Sequence, residues 1–217
     1  MMFTAISASF FVENQREHYI ERKKEKQYMT SMLGDLKSDT AILVEKSRQN
    51  EEMMTGLTSL FSLLRNYHSD KLLLVELYRL FDANVGWVRR ARLSDRTISQ
   101  LKNSGNMRLI HIQAISDSLL VYEERKKLLV DQGEGYKKEN EALTDLSRKM
   151  LDYEYLTPLD TTKIISGQSF SKEILFEFSN EVKILRDQIE TYVNTLHELL
   201  DRAVNIITLI QRHYHLK

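Results

Sequence analysis

From Leu175 to Ile210 an apolar side chain recurs every three or four residues without interruption. The members are Leu175, Phe178, Val182, Leu185, Ile189, Tyr192, Leu196, Leu199, Ala203, Ile206 and Ile210, and Ile174, Val193, Leu200 and Ile207 widen the stripe. That period belongs to an α-helix and not to a strand. A seam only two residues wide suggests an isolated coiled coil, whereas this broader face suits the core of a bundle. The spacing predicts one helix of about 40 residues, roughly 60 Å long. Such a helix needs a partner of similar length to cover its apolar face.

The first third of the chain supplies that partner. Met29, Leu33, Leu36, Leu43, Met54, Leu57, Phe61 and Leu64 follow helical spacing, with Thr40, Ser47 and Asn50 as weak members. One helix is expected to end near Asn66. A second, capped by Ser69 or Asp70, carries Leu73, Leu74, Leu77, Tyr78 and Phe81 and ends near Asn84-Val85-Gly86. A short helix over Arg96–Lys102 follows, capped by Ser94 or Asp95. Asn103-Ser104-Gly105-Asn106 is turn vocabulary, with Gly105 placed for the left-handed residue that closes a helix. A long helix then carries Ile112, Ile115, Leu119, Tyr122 and Leu129; a break or kink is expected at Gly133 and Gly135. Helix resumes through Leu143, Leu146 and Met150, and Asp152–Gln168 reads as the longest loop.

Composition agrees. One proline and seven glycines in 217 residues are too few for the turns of an all-β or α/β fold. The expected fold is therefore all-α, an elongated helical bundle with its long first and last helices packed antiparallel. Lys+Arg and Asp+Glu both number 31, so no overall basic field exists to hold nucleic acid. The absence of cysteine removes thiol nucleophiles and Cys-ligated metals. No phosphate-binding loop, dinucleotide fingerprint or nucleophile elbow occurs. His197-Glu198 lacks the second histidine of a zinc protease, and His213 and His215 do not share a helical face. No catalytic residue, metal site or cofactor is expected, and the chain reads as a non-enzyme.

Residues 1–12, MMFTAISASFFV, carry no charge. Twelve helical residues cover only about 18 Å of a roughly 30 Å hydrocarbon core. The segment is either the C-terminal part of a membrane anchor that begins outside this chain, or an apolar helix start packed on a neighbour. Residues 13–28 follow as a charged helical stalk, ENQREHYIERKKEKQY, with few large apolar side chains. A helix polar all round crosses solvent or lies at a headgroup surface. The order apolar segment, charged stalk, bundle domain (29–217) matches membrane, juxtamembrane segment and domain.

Two segments invite a functional reading. In Trp87-Val88-Arg89-Arg90-Ala91-Arg92, Trp87, Arg89 and Arg90 can grip a phosphate or an acidic partner, or form a connector whose arginines pair locally. In the long loop, Tyr153 and Tyr155 can line a binding surface or pin the loop to the bundle. Over Asn103, Ser104, Gly105 and Asn106, Lys102 and Arg108 can hold an anion, or the segment is a structural turn alone.

Glu21–Thr40, ERKKEKQYMTSMLGDLKSDT, and Thr97–Ile110, TISQLKNSGNMRLI, with Tyr122 beyond it and the helix Phe176–Tyr214, resemble a bacterial family of unknown function. Its second motif reads approximately T-Y-x-x-L-K-S-S-G-N-L-R-L-I. The resemblance implies a short basic N-terminus, one spanning helix, a charged juxtamembrane stretch and a helical domain. The chain departs from the family at Val12–Arg16, where an Asn-Asn-Trp-Asn-Glu-like junction is usual. The resemblance supplies no activity; the order of anchor, stalk and bundle without a catalytic set is what suggests a single-pass, membrane-anchored bundle acting as a structural or protein-interaction module. Its partners are then the membrane and either an unidentified protein or a second copy. The other reading is a sensor or ligand-binding domain on a membrane stalk.

Overall fold

The computed structural model describes residues 2–67, 71–156 and 170–216, with the side chains of 2–10 and of residue 71 left aside. Ser69, Asp70, Pro158 and Gly167 lie outside the described residues. Five helices are described: α1 (Met2–Arg65), α2 (Lys71–Asn84), α3 (Arg96–Asn103), α4 (Gln113–Ser147) and α5 (Lys172–Tyr214), with no strand among the described residues. The fold is an all-α bundle in which the long first and last helices pack against each other. They run antiparallel. Glu51 faces His197 at 3.1 Å, and Arg65 stands over the Phe176 ring at 5.4 Å, so α5 recedes as α1 advances.

The chain forms two compact units. One comprises Met1–Ile42, Arg92–Arg125 and Leu199–Lys217, the other Leu43–Ala91 and Lys126–Glu198. In the first, Met29, Met32, Leu33 and Leu36 of α1 are buried, as are Ile98 and Leu101 of α3, Ile115 and Leu119 of α4, and Leu199, Ala203, Ile206 and Ile210 of α5. Burial of α1 in this unit begins at Glu25; residues 11–20 are all exposed although helical. In the second, Leu43, Met53, Leu57, Leu60 and Leu64 of α1 are buried, as are Leu74, Leu77, Tyr78 and Phe81 of α2. Tyr136 and Leu143 of α4 and the α5 stripe from Leu175 to Leu196 complete it. All eleven residues of the α5 stripe named above are buried.

The stripe on α1 differs from expectation by one position. Met53 and Leu60 are buried, whereas Met54 and Phe61 are only half-buried. The heptad register is set by polar members: Asp39 is 1% exposed and Asn50 fully buried, on the same seam as Leu36, Leu43, Met53, Leu57, Leu60 and Leu64. Helix α4 is also continuous, without the break expected at Gly133 and Gly135. Gly133 serves there for space: a Cβ would stand 2.9 Å from Cδ of Arg90. Gly86, after α2, and Gly105, after α3, adopt left-handed φ values of +85° and +66°, which only glycine takes without strain.

Candidate functional site

The polar chemistry of the first unit centres on three carboxylates of α1. Each is buried and each accepts a backbone amide from the segment after residue 91. Asp39 Oδ1 accepts Ser94 N at 2.7 Å, Asp35 Oδ2 accepts Thr97 N at 3.1 Å, and Glu25 Oε1 accepts His111 N at 2.8 Å. The order 39, 35, 25 against 94, 97, 111 lays this segment antiparallel along α1. Sequence spacing assigns the α3 cap to Ser94 or Asp95. Asp95 makes no side-chain cap, and Ser94 Oγ reaches Arg96 N only at 3.5 Å. Asp35 caps α3 from a different helix, accepting the hydroxyl of Thr97 (2.5 Å) as well as its amide and pairing with Arg96 at 2.7 Å. A carboxylate at a helix N-terminus is favoured by the exposed amides and the helix dipole.

Electrostatics follow from that geometry. Burial works against the Asp35 charge, but the Thr97 hydrogen bonds and the Arg96 guanidinium outweigh it and hold the carboxyl below its ordinary value. Tyr122 donates to Asp39 Oδ2 at 3.0 Å, and burial together with the Asp39 charge pushes the phenol well up. Glu25 also binds Nδ1 of His111 at 3.0 Å and accepts the hydroxyl of Tyr214, at the end of α5. Burial and the Glu25 carboxylate raise Tyr214. Asn106, opening the turn after Gly105, donates to Tyr28 Oη at 2.9 Å. The turn Asn103–Asn106 is thus tied to α1 by a side chain, beside the backbone bonds that close α3.

In the second unit the connector after α2 is held by the helices around it. Gly86 N donates to Asn140 Oδ1 at 3.0 Å, Arg89 N to Tyr136 Oη at 3.3 Å, and Ala91 N to Tyr192 Oη at 2.7 Å. Asn50 Nδ2 donates to the Arg89 carbonyl at 3.0 Å. The rings of Tyr136 and Tyr192 pack 5.8 Å apart. Burial raises both phenols, Tyr136 to about 12.

Within this frame the five candidate contact residues have separate roles. Arg89 donates to the Gln49 carbonyl at 2.8 Å, and Arg90 pairs with Glu134. Trp87 is 61% exposed, its indole N–H reaching the Asp82 carbonyl at 3.3 Å. Tyr153 stacks edge-on against Phe81 and bonds Ser147 Oγ at 2.6 Å, while Tyr155 packs on Tyr78. A shallow groove of about 520 Å³ over Arg148–Tyr153 includes Tyr153 alone of the five. A second cavity of about 220 Å³, beside Leu64, Tyr67 and Phe176, includes none of them.

Among the described residues no group of three or more histidines and acids is placed to hold a metal ion. Among them, too, no helix is long and apolar enough to cross a membrane. No family model, curated protein or solved structure matches the chain.

Proposed function

We propose that this chain is a membrane-tethered helical bundle acting as a structural or protein-interaction module. The observation that carries the reading is the leading part of α1. It is helical from Met2, exposed at every residue from 11 to 20, and buried by the rest of the chain only from Glu25 on. A helix end without tertiary packing holds only by propagation from the packed part and frays readily. It gains support if the apolar residues 1–12 are seated in a membrane. On this reading the carboxylate bonds at Glu25, Asp35 and Asp39 join the tether rigidly to the segments it carries. The polar side chains that a catalytic centre would need are engaged in holding connectors, which favours a scaffold over an enzyme.

The test is extraction of membranes with alkaline carbonate, followed by protease digestion from each side. Retention in the pellet with one-sided cleavage is the expected result, and the cleaved side identifies the compartment of the bundle. Full release into the carbonate supernatant would remove the tether and leave residues 1–12 as a packing surface.

A further inference from the structure

The leading part of α1 is not uniformly polar once its faces are separated. At about 100° per residue, Val12, Arg16, Tyr19, Ile20 and Lys23 fall within an arc of roughly 100°. Glu25, which faces the interior of its unit, lies on the other side. Glu13, Glu17 and Glu21 climb toward it along the four-residue ridge. The outward arc therefore interleaves cations with exposed apolar groups: Val12 is 64% exposed, Tyr19 70% and Ile20 44%. Lys24 flanks it and is exposed. Arg16 has Glu13 at 3.5 Å with both side chains in solvent, a pair of little strength. Lys23 and Lys24 form no ion pair among the described residues.

We infer that this outward face binds the headgroups of anionic phospholipids. A helix that presents cations beside aliphatic and aromatic side chains matches the boundary between charged headgroups and acyl chains. Nucleic acid matches less well. It needs no Val12 or Ile20, and the acidic ridge one turn away opposes a polyanion that surrounds the helix. The inference deepens the proposed tether and rests on it: the apolar residues seat the helix, and the cations select the leaflet and hold the helix against it.

The experiment is co-sedimentation of the full chain with phosphatidylcholine vesicles, with and without phosphatidylglycerol. Tighter binding to the anionic vesicles is expected, reduced by added salt. It should weaken roughly fivefold for each cation removed in the variant Arg16→Gln, Lys23→Gln, Lys24→Gln. The control Lys127→Gln, Lys138→Gln, Lys149→Gln, which removes as many exposed cations elsewhere, should bind as the parent does. Equal binding to both vesicles, unchanged in the first variant, would overturn the lipid-selective face while leaving the tether intact. Binding to neither would overturn the lipid-binding face, while the carbonate extraction decides the tether separately. A chain that retards duplex DNA but ignores anionic vesicles would overturn the lipid assignment in favour of nucleic acid.

Discussion

Asp35→Ala is expected to cost roughly 3–5 kcal/mol of stability, a large share of what a domain of ordinary stability holds. The effect arises in Thr97, which is 1% exposed. Its amide and hydroxyl both donate to Asp35, and neither can reach water once the carboxylate is gone. Each buried donor left unsatisfied costs about 1–3 kcal/mol. Arg96 adds little, because its side chain is 72% exposed. Urea denaturation followed by circular dichroism should therefore rank Asp35→Ala as more damaging than Asp35→Asn. Arg96→Gln should stay within about 1 kcal/mol of the parent. The effect also has a pH signature. The folded state holds the Asp35 carboxyl below its ordinary value, so its stabilisation is present above about pH 4 and lost as pH falls through the folded value. The gap between parent and Asp35→Ala should narrow in acid, because only the charge-dependent part of the stabilisation is lost there. Equal stability of the two at neutral pH would show that α3 is held without its cap.

The second large effect lies at the alkaline end. Tyr122, Tyr136, Tyr192 and Tyr214 are all raised above the ordinary phenol value of 10.0, each chiefly by burial. A raised group binds its proton more tightly when folded. Its contribution is complete below about pH 10 and is lost as pH rises toward the folded value, because the unfolded chain ionises first. Tyr136, at about 12, accounts alone for a loss of roughly 2 kcal/mol by pH 12. The chain should stay folded to about pH 10 and then lose helix cooperatively, with the buried phenolates appearing in the same transition. A smooth appearance of all phenolates near pH 10 with helix content retained would contradict the buried hydroxyl bonds.

The helical architecture was legible because apolar periodicity states it directly. The α5 stripe is uninterrupted, and its buried residues are those the spacing selects. The register of α1 was less legible for a physical reason. Met53 and Met54, like Leu60 and Phe61, are apolar neighbours between which hydropathy does not choose, and the seam passes through Asp39, where the spacing points to Thr40, and through Ser47 and Asn50. A polar residue in a core slot is recognisable only when its partner is known, and those partners are distant in sequence: Ser94 and Tyr122 for Asp39, Arg89 for Asn50. The same separation concealed the carboxylate caps. Acids on a helix ordinarily face solvent, yet Glu25, Asp35 and Asp39 are buried. The one local signal was that Asp39 occupies the heptad position between Leu36 and Leu43. At the connector, Trp87, Arg89 and Arg90 showed their residue types but not their partners. Tyr136 and Tyr192 looked like ordinary stripe members until their hydroxyls met backbone amides.

Hydrogen exchange along α1, measured on the full chain without membranes, tests most directly that the chain itself holds this helix only from its buried carboxylates onward. Amides of residues 11–24 should exchange rapidly, while those from about Glu25 through the Asp35 and Asp39 turns should be protected to the level of global unfolding. Strong protection of 11–24 under the same conditions would contradict the account, since it would mean that another surface already covers the face assigned here to the membrane.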